Sequence, residues 1–326
     1  MCRLLANGRE FGARPRHPSR SIIMPRSTWG RAALAAAVLA LQSTQPAHAH
    51  GFAGSRFFPA TIQTDDPFVA DEGSLPTITR NPIGADGSHE TDYGLDLAKR
   101  ITPDFGVTFS EQWRVVRSPG APTVYGWDSL KTGQQYQLFV DPKQEAMGLI
   151  GLQENWGHTG GKTLGQSDFT TLSPTFDFGK GMGNLPDSMR WLRPFAITGN
   201  VSVDFPTKSS SSDGTPNPNV FNFGVAIEYS LQYLQSQIKN IGLAPPFDRM
   251  TPLVEITSAT PINRVASLTT GVIAPGVIWS GQYFQVGAEM LIPYGSGQGH
   301  GIGGVLQLHF YLDDIFPNSI GKPLIR

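Results

Sequence analysis

The amino-acid sequence predicts an all-β fold: a transmembrane antiparallel up-and-down β-barrel of about ten to twelve strands, twelve favoured, after an irregular N-terminal segment. Three observations carry this expectation. Alternating apolar and polar residues persist beyond the roughly five or six residues of an ordinary globular strand. The polar faces hold ionisable groups in mid-strand, which a small closed core must satisfy and a watered lumen solvates freely. Aromatic residues gather near strand ends, as interfacial girdles do. Composition agrees, with 37 Gly, 26 Pro and only 16% charged residues in 326, a balance that suits a turn-rich β-protein.

Residues 1–49 read as a secretory signal peptide with its core at 24–49. Arg26 and Arg31 precede the apolar run "AALAAAVLAL" (Ala32–Leu41), and Ala47-His48-Ala49 provides a small-x-small cleavage site after Ala49. Residues 1–23, basic and without periodicity, read as an upstream-start artefact or a long n-region. The run is too short to span a bilayer. Cleavage removes seven of the 25 Lys and Arg, one of the 26 Asp and Glu, and the single cysteine, Cys2. The remainder is acidic, with a net charge of about −7, which disfavours nucleic-acid partners. Disulfides and thiolate chemistry are excluded with the cysteine.

Residues 50–90 read as a plug folded into the lumen or a periplasmic segment. The stretch is aromatic, Pro-broken and acidic, and its phenylalanines, Phe52 among them, are poorly placed in water. The plug candidates are Phe57, Phe58, Asp65, Asp66, Phe68, Asp71 and Glu72.

The barrel is expected over 91–313. "YGLDLAKRI" aligns Tyr93, Leu95, Leu97 and Ile101 against Asp92, Asp96 and Arg100; "FGVTFSEQWRV" aligns Phe105, Val107, Phe109, Trp113 and Val115. "FAITGNVSVDF" sets Phe195, Ile197, Val201, Val203 and Phe205 against Thr198, Asn200, Ser202 and Asp204. "VFNFGVAIEYSLQYL" alternates from Phe221 to Tyr233, a length that would rise about 30 Å at a tilt near 40°. "YFQVGAEMLI" and "GVLQLHFYL" add two more, and weaker candidates lie near 124–140, 145–156, 167–179, 250–261 and 267–280. Eleven segments therefore emerge, where an even number is expected. Residues 314–326 form a C-terminal tail. The alternative architecture is a soluble β-sandwich or jelly roll.

"RFFPATIQTDDPFVADE" (Arg56–Glu72), "LHFYLDDIFPNSIGKP" (Leu308–Pro323) and "VDFPTK" (Val203–Lys208) resemble a branch of the bacterial MetA-pathway of phenol degradation family. The resemblance covers most of the chain after the signal peptide. It implies an outer-membrane barrel transporter of a Gram-negative cell, with aromatic solutes suggested by the family label alone. The chain departs from many outer-membrane barrels by continuing past Phe310 to Arg326 rather than ending on an aromatic strand residue.

Chemical motifs are few. "GHGIGG" (Gly299–Gly304) precedes a strand instead of following one, so it reads as a loop rather than a dinucleotide fingerprint. "GHTGGKT" (Gly157–Thr163) has Trp156 where a phosphate loop needs glycine. His50, the N-terminal residue after cleavage, is a weak metal candidate without a partner at ligand spacing. Hydrolase motifs such as G-x-S-x-G and H-E-x-x-H are absent, and no enzyme activity or cofactor is expected. His309 is the one plausible base on a strand, read as a lumen residue.

The expected function is a passive outer-membrane channel for small solutes, hydrophobic or aromatic ones included. Asp96, Arg100, Arg114, Asp204, Glu228, Glu289, Gln307 and His309 are the lumen-lining candidates. The expected partners are outer-membrane lipid, the barrel-assembly machinery and a small solute. A barrel-borne hydrolase and a non-transporting, metal-binding exported β-protein are the alternatives.

Overall fold

The computed structural model describes residues 51–326 except Gly165, Ser267, 296–298 and Arg326. The signal peptide and His50 lie outside the described residues.

In chain order, β1 (Phe52–Ala53) and β2 (Arg56–Phe57) make a small hairpin. They are followed by β3 (Glu72–Arg80), β4 (His89–Arg100), β5 (Phe105–Arg117), β6 (Val124–Trp127), β7 (Lys131–Asp141) and β8 (Ala146–Asn155). Then come β9 (Thr171–Gly181), β10 (Phe195–Pro206), β11 (Val220–Tyr229), β12 (Met250–Pro261), β13 (Thr270–Ser280), β14 (Phe284–Gly295) and β15 (Gly303–Tyr311). Every strand from β7 to β15 pairs antiparallel with its neighbour in sequence, β15 pairs with β3, and β4 pairs with both β3 and β5. The sheet thus closes as a barrel of 12 strands, with β6 as an extra strand on the outer half of β5. Among the described residues no helix is long and apolar enough to cross a membrane.

Closure makes two faces from one alternation. On β11, Phe221, Phe223 and Ile227 are exposed while Ala226 and Glu228 are buried. On β14, Phe284, Val286, Met290 and Ile292 are exposed, whereas Gln285, Glu289 and Leu291 are buried. The apolar set therefore covers the outside and the polar set faces the lumen, the inverse of a water-soluble barrel. Aromatic pairs sit where strands end, such as Phe195 on Tyr229 and Trp279 on Phe284. Trp113 packs on Tyr125 and Trp127 of β6.

Three sequence expectations need correction. The barrel begins at Glu72, not near residue 91, because "EGSLPTITR" is its first strand. Register slips between Ser74 and Thr77 on one side and between Gln307 and His309 on the other. This bulge around Pro76, which has no N–H for a ladder, breaks the period-2 pattern. The eleven segments become twelve with it. Next, β11 stops at Tyr229: the Ser230 side chain accepts from the Tyr233 amide and caps a helical turn at Leu231–Tyr233. The apparent continuation of alternation through Leu231 and Tyr233 is a coincidence of spacing. Finally, the 124–140 candidate divides into β6 and β7.

The chain leaves β15 through a turn at Leu312–Ile315 and comes back to the end of β4. There the Leu324 and Ile325 amides donate to Arg100 O and Ile101 O. The rim that carries β3's start and β15's end is called the terminal rim below; the opposite one is the loop rim.

Outward alternation has a direct consequence. Phe223→Lys places an ammonium on the outer face near mid-strand, and about 2–4 kcal/mol of folding stability should be lost in lipid vesicles. Urea titration of the vesicle-folded protein measures this; an unchanged midpoint would mean that this face does not meet lipid.

Candidate functional site

Residues 51–71 enter from the terminal rim, rise to mid-barrel and descend again into β3. Their contacts reach strands all round the ring, which places the segment inside. At the tip, the Ile62, Gln63 and Thr64 amides all donate to the two oxygens of Glu255 on β12, at 2.7, 3.0 and 2.7 Å. Gln153 of β8 and Asn200 of β10 each donate to Asp65 Oδ2 at 3.0 Å. Gln285 of β14 donates to Ala60 O at 2.6 Å, and Gln137 of β7 bridges Pro67 O and the Val69 amide. A loop segment buried in a barrel must find partners for its peptide groups, and here wall side chains supply them. Glycines let it approach: a Cβ on Gly287 would stand 2.6 Å from Ile62 Cδ1, and one on Gly224 2.7 Å from Thr64 Cγ2.

Apolar packing fixes the lower part. Phe58, Phe68, Ala53 and Ala70 cluster with Met147 of β8 and Ala196 of β10. Burying Phe58 fully contributes roughly 1.5–3 kcal/mol. Phe57 instead packs its ring against Phe52 and Tyr311.

Two charged clamps hold the segment at the terminal rim. Arg56, almost wholly buried, meets Glu145 at 3.3 Å, donates to the carbonyls of Arg193, Pro194 and Phe195, and stacks on the Tyr233 ring. Tyr233 Oη donates to Glu145 Oε1 at 2.8 Å. Burial, with the hydrogen bond to Glu145, pushes the Tyr233 phenol up to about 12. Burial also pulls Arg56 down from its ordinary value, and Glu145 opposes that pull. In the second clamp, Asp71 takes Lys99 at 2.5 Å and Arg100 at 2.8 Å.

Above and beside the tip a cavity of about 320 Å³ remains, between the segment and the wall of β3, β4 and β5. Asp65, Asp66, Asp96, Lys131 and Gln153 line it with Phe68 and Leu97. A second cavity, of about 90 Å³, shares Asp96, Ser110 and Lys131 with the first and extends past Asp92 and Gln112 toward the loop rim. Arg114 stands there in a carboxylate ring, 2.9 Å from Asp92, 3.3 Å from Glu90 and 3.3 Å from Asp128.

All eight lumen candidates sit at inward positions, in different surroundings. Asp96 and Gln307 line the larger cavity, and Asp204 accepts from Ser173 at 2.6 Å. Glu228 accepts from Thr198, and Glu289 lies beside Glu255 and Gln63, both beneath the plug segment. Arg100 is spent on the Asp71 clamp. Of the plug candidates, Phe57, Phe58, Asp65, Asp66, Phe68 and Asp71 belong to the inserted segment. Glu72 is a wall residue of β3, another result of the misplaced barrel start. His309 contacts Ser74 and Glu72. Sequence reasoning missed Arg56, Gln137, Glu255 and Gln285. The inward row Thr251, Leu253, Glu255 carried a signal, a carboxylate among otherwise uncharged positions. Among the described residues no group of three or more His, Cys, Asp or Glu could hold a metal ion.

Comparison with known proteins follows this geometry. An outer membrane channel from Pseudomonas putida F1 superposes with a TM-score of 0.53 at 10% identity, over 78% of this chain and 99% of that one. The fold is that of an outer-membrane β-barrel. The β domain of a Bordetella autotransporter gives a TM-score of 0.42 at 11% identity, over 74% of this chain and 99% of that one. The KdgM porin gives 0.42 at 9% identity, over 73% and 98%. No family model matches the chain, and no curated protein does.

Glu255 is the segment's acceptor hub. Glu255→Ala should accelerate amide exchange at Ile62, Gln63 and Thr64 by about ten- to a hundredfold, since hydrogen bonds to charged groups contribute about 1.5–3 kcal/mol. Unchanged exchange at those amides, measured by mass spectrometry, would show that the tip is held elsewhere.

Proposed function

We propose that the protein is a passive outer-membrane channel for small solutes, with residues 51–71 acting as a plug that narrows the terminal half of the lumen. The observation that carries this is the pair of adjoining cavities. They run from the plug tip along β3, β4 and β5 toward the loop rim, inside a barrel whose outer face is apolar. The lining supports solutes that are small and partly polar. Carboxylates and amides dominate it, and Phe68 and Leu97 offer one apolar side. That mixture suits a hydroxylated ring better than a purely aliphatic chain, and the resemblance to the MetA-pathway of phenol degradation family favours aromatic solutes on separate grounds. The acidic lining favours neutral and cationic solutes over anions. The barrel would reach the outer membrane by export and insertion through the assembly machinery, and no cofactor or catalytic step is needed for passive flux.

Planar-bilayer recording tests the reading. The intact chain should give small unitary currents, and removal of residues 51–69 should raise conductance several-fold. Asp96→Asn should reduce cation over anion selectivity while leaving the heat-modifiable migration of a folded barrel intact. Failure of either form to conduct would overturn the channel reading; equal conductance of both would overturn the plug.

A further inference from the structure

One group of side chains on the wall of the larger cavity makes no hydrogen bond to the plug segment. Ser74 Oγ lies 2.9 Å from His309 Nδ1, and His309 Nε2 lies 3.2 Å from Glu72 Oε2. The three are 5%, 3% and 7% exposed, and all of them line the 320 Å³ cavity. One tautomer satisfies both contacts: Nε2–H donates to the carboxylate, and Nδ1 accepts from the serine hydroxyl. The order is nucleophile, base, orienting carboxylate.

A second observation concerns the next inward pair along the same two strands. Thr77 and Gln307 are register partners. Thr77 Oγ1 and Gln307 Oε1 are buried without a hydrogen-bond partner. Side-chain amides can be turned end for end, so this pair can present a hydroxyl and an N–H₂ from the register pair next to Ser74 and His309. Uncommitted donors next to a nucleophile are what a developing oxyanion requires. The bulge after Ser74 sets two β3 residues against Leu308 alone, so Ser74 and Thr77, three positions apart, both stay on the inward face opposite His309 and Gln307.

We propose that Ser74, His309 and Glu72 form an acyl-transfer centre that hydrolyses small carboxylic esters entering the cavity. Ser74 Oγ attacks the ester carbonyl while its proton passes to His309 Nδ1, and the carbonyl electron pair moves onto oxygen toward Thr77 and Gln307. Collapse expels the alkoxide, which takes the proton from Nδ1 and leaves as alcohol. Water then attacks the acyl-serine, giving its proton to Nδ1, and the carboxylic acid departs as the serine regains that proton. Glu72 orients the ring and stabilises the imidazolium, which makes it a positioning residue. The cavity volume admits short acyl esters, and Asp96 on its wall disfavours anionic ones.

The test uses the full-length barrel in detergent, with folding verified by heat-modifiable migration. A small neutral dialkyl fluorophosphate should lose fluoride and leave one dialkylphosphoryl group on Ser74, mapped by peptide mass spectrometry, and p-nitrophenyl acetate should be turned over. His309→Gln should slow both by about a hundredfold or more, the scale of general-base assistance. Glu72→Gln should slow them less and displace the pH profile. Absence of an adduct at Ser74, or labelling that His309→Gln does not slow, overturns the proposal. Should His309→Gln fail to fold, folded Ser74→Ala decides: loss of ester turnover supports the centre, and retained turnover overturns it.

Discussion

The pairing of β3 with β15 on one side and β4 on the other is the constraint on which the rest of the structure depends. A sheet in hydrocarbon cannot leave an edge, because each unpaired peptide group costs several kcal/mol there. Once β3 closes the ring, each of the 12 barrel strands has two neighbours and each of their side chains has one of two destinations. Phe223 and Met290 go outward, while Glu228 and Glu289 go inward. The polar groups that would destabilise an ordinary β-sandwich core then lie in a lumen that can be solvated or filled.

Filling it poses the second problem. Residues 51–71 bring irregular backbone into the barrel, and irregular backbone offers its amides no ladder. The wall answers with long polar side chains: Glu255 takes three consecutive amides, Gln285 and Gln137 meet carbonyls, and Asn200 and Gln153 converge on Asp65. Carboxylates and plug are thus mutually dependent. Without the segment Glu255 would exchange three backbone donors for lumen water, and without Glu255 the segment would hold three orphan N–H groups. Small residues at Gly224 and Gly287 matter for the same reason, since a side chain there would hold the tip away from its partners.

Period-2 alternation made most of the barrel legible in the sequence, because a two-sided environment imposes it on every regular strand. It failed where geometry departs from two. In β3 the bulge puts Ser74 and Thr77 on the same face, three positions apart, so counting by twos scattered the inward set and hid the strand. Beyond Tyr229 the apolar residues kept alternating although the chain had turned, because Ser230 supplies a cap that hydropathy does not register. The inserted segment was recognisable from phenylalanines that water would not tolerate. Its partners were not, since Glu255 lies about 190 residues from the Ile62, Gln63 and Thr64 amides and meets them only through ring closure. The Ser74, His309 and Glu72 line was hidden for the same reason: closure alone brings residue 74 to residue 309.

The Asp71 clamp fixes the junction at which one continuous chain passes from inserted segment to barrel wall. Plug and first strand share a peptide bond between Asp71 and Glu72, so displacing one would drag the other unless something holds the junction. Asp71 is fully buried, and its oxygens are engaged by Lys99 Nζ, the Arg100 amide and Arg100 Nε. Lys99 and Arg100 are in turn tied to carbonyls of the C-terminal tail at Ile320, Gly321 and Lys322. Breaking a buried pair by removing one partner costs about 3–5 kcal/mol, more than the contribution of a single tip contact such as Asn200 to Asp65. Force on the tip would therefore release contacts around residues 60–66 one by one before it reached β3. The extension past Phe310, which departs from barrels that end on an aromatic strand residue, thus has a structural role: it completes the anchor that holds the junction between the inserted segment and β3.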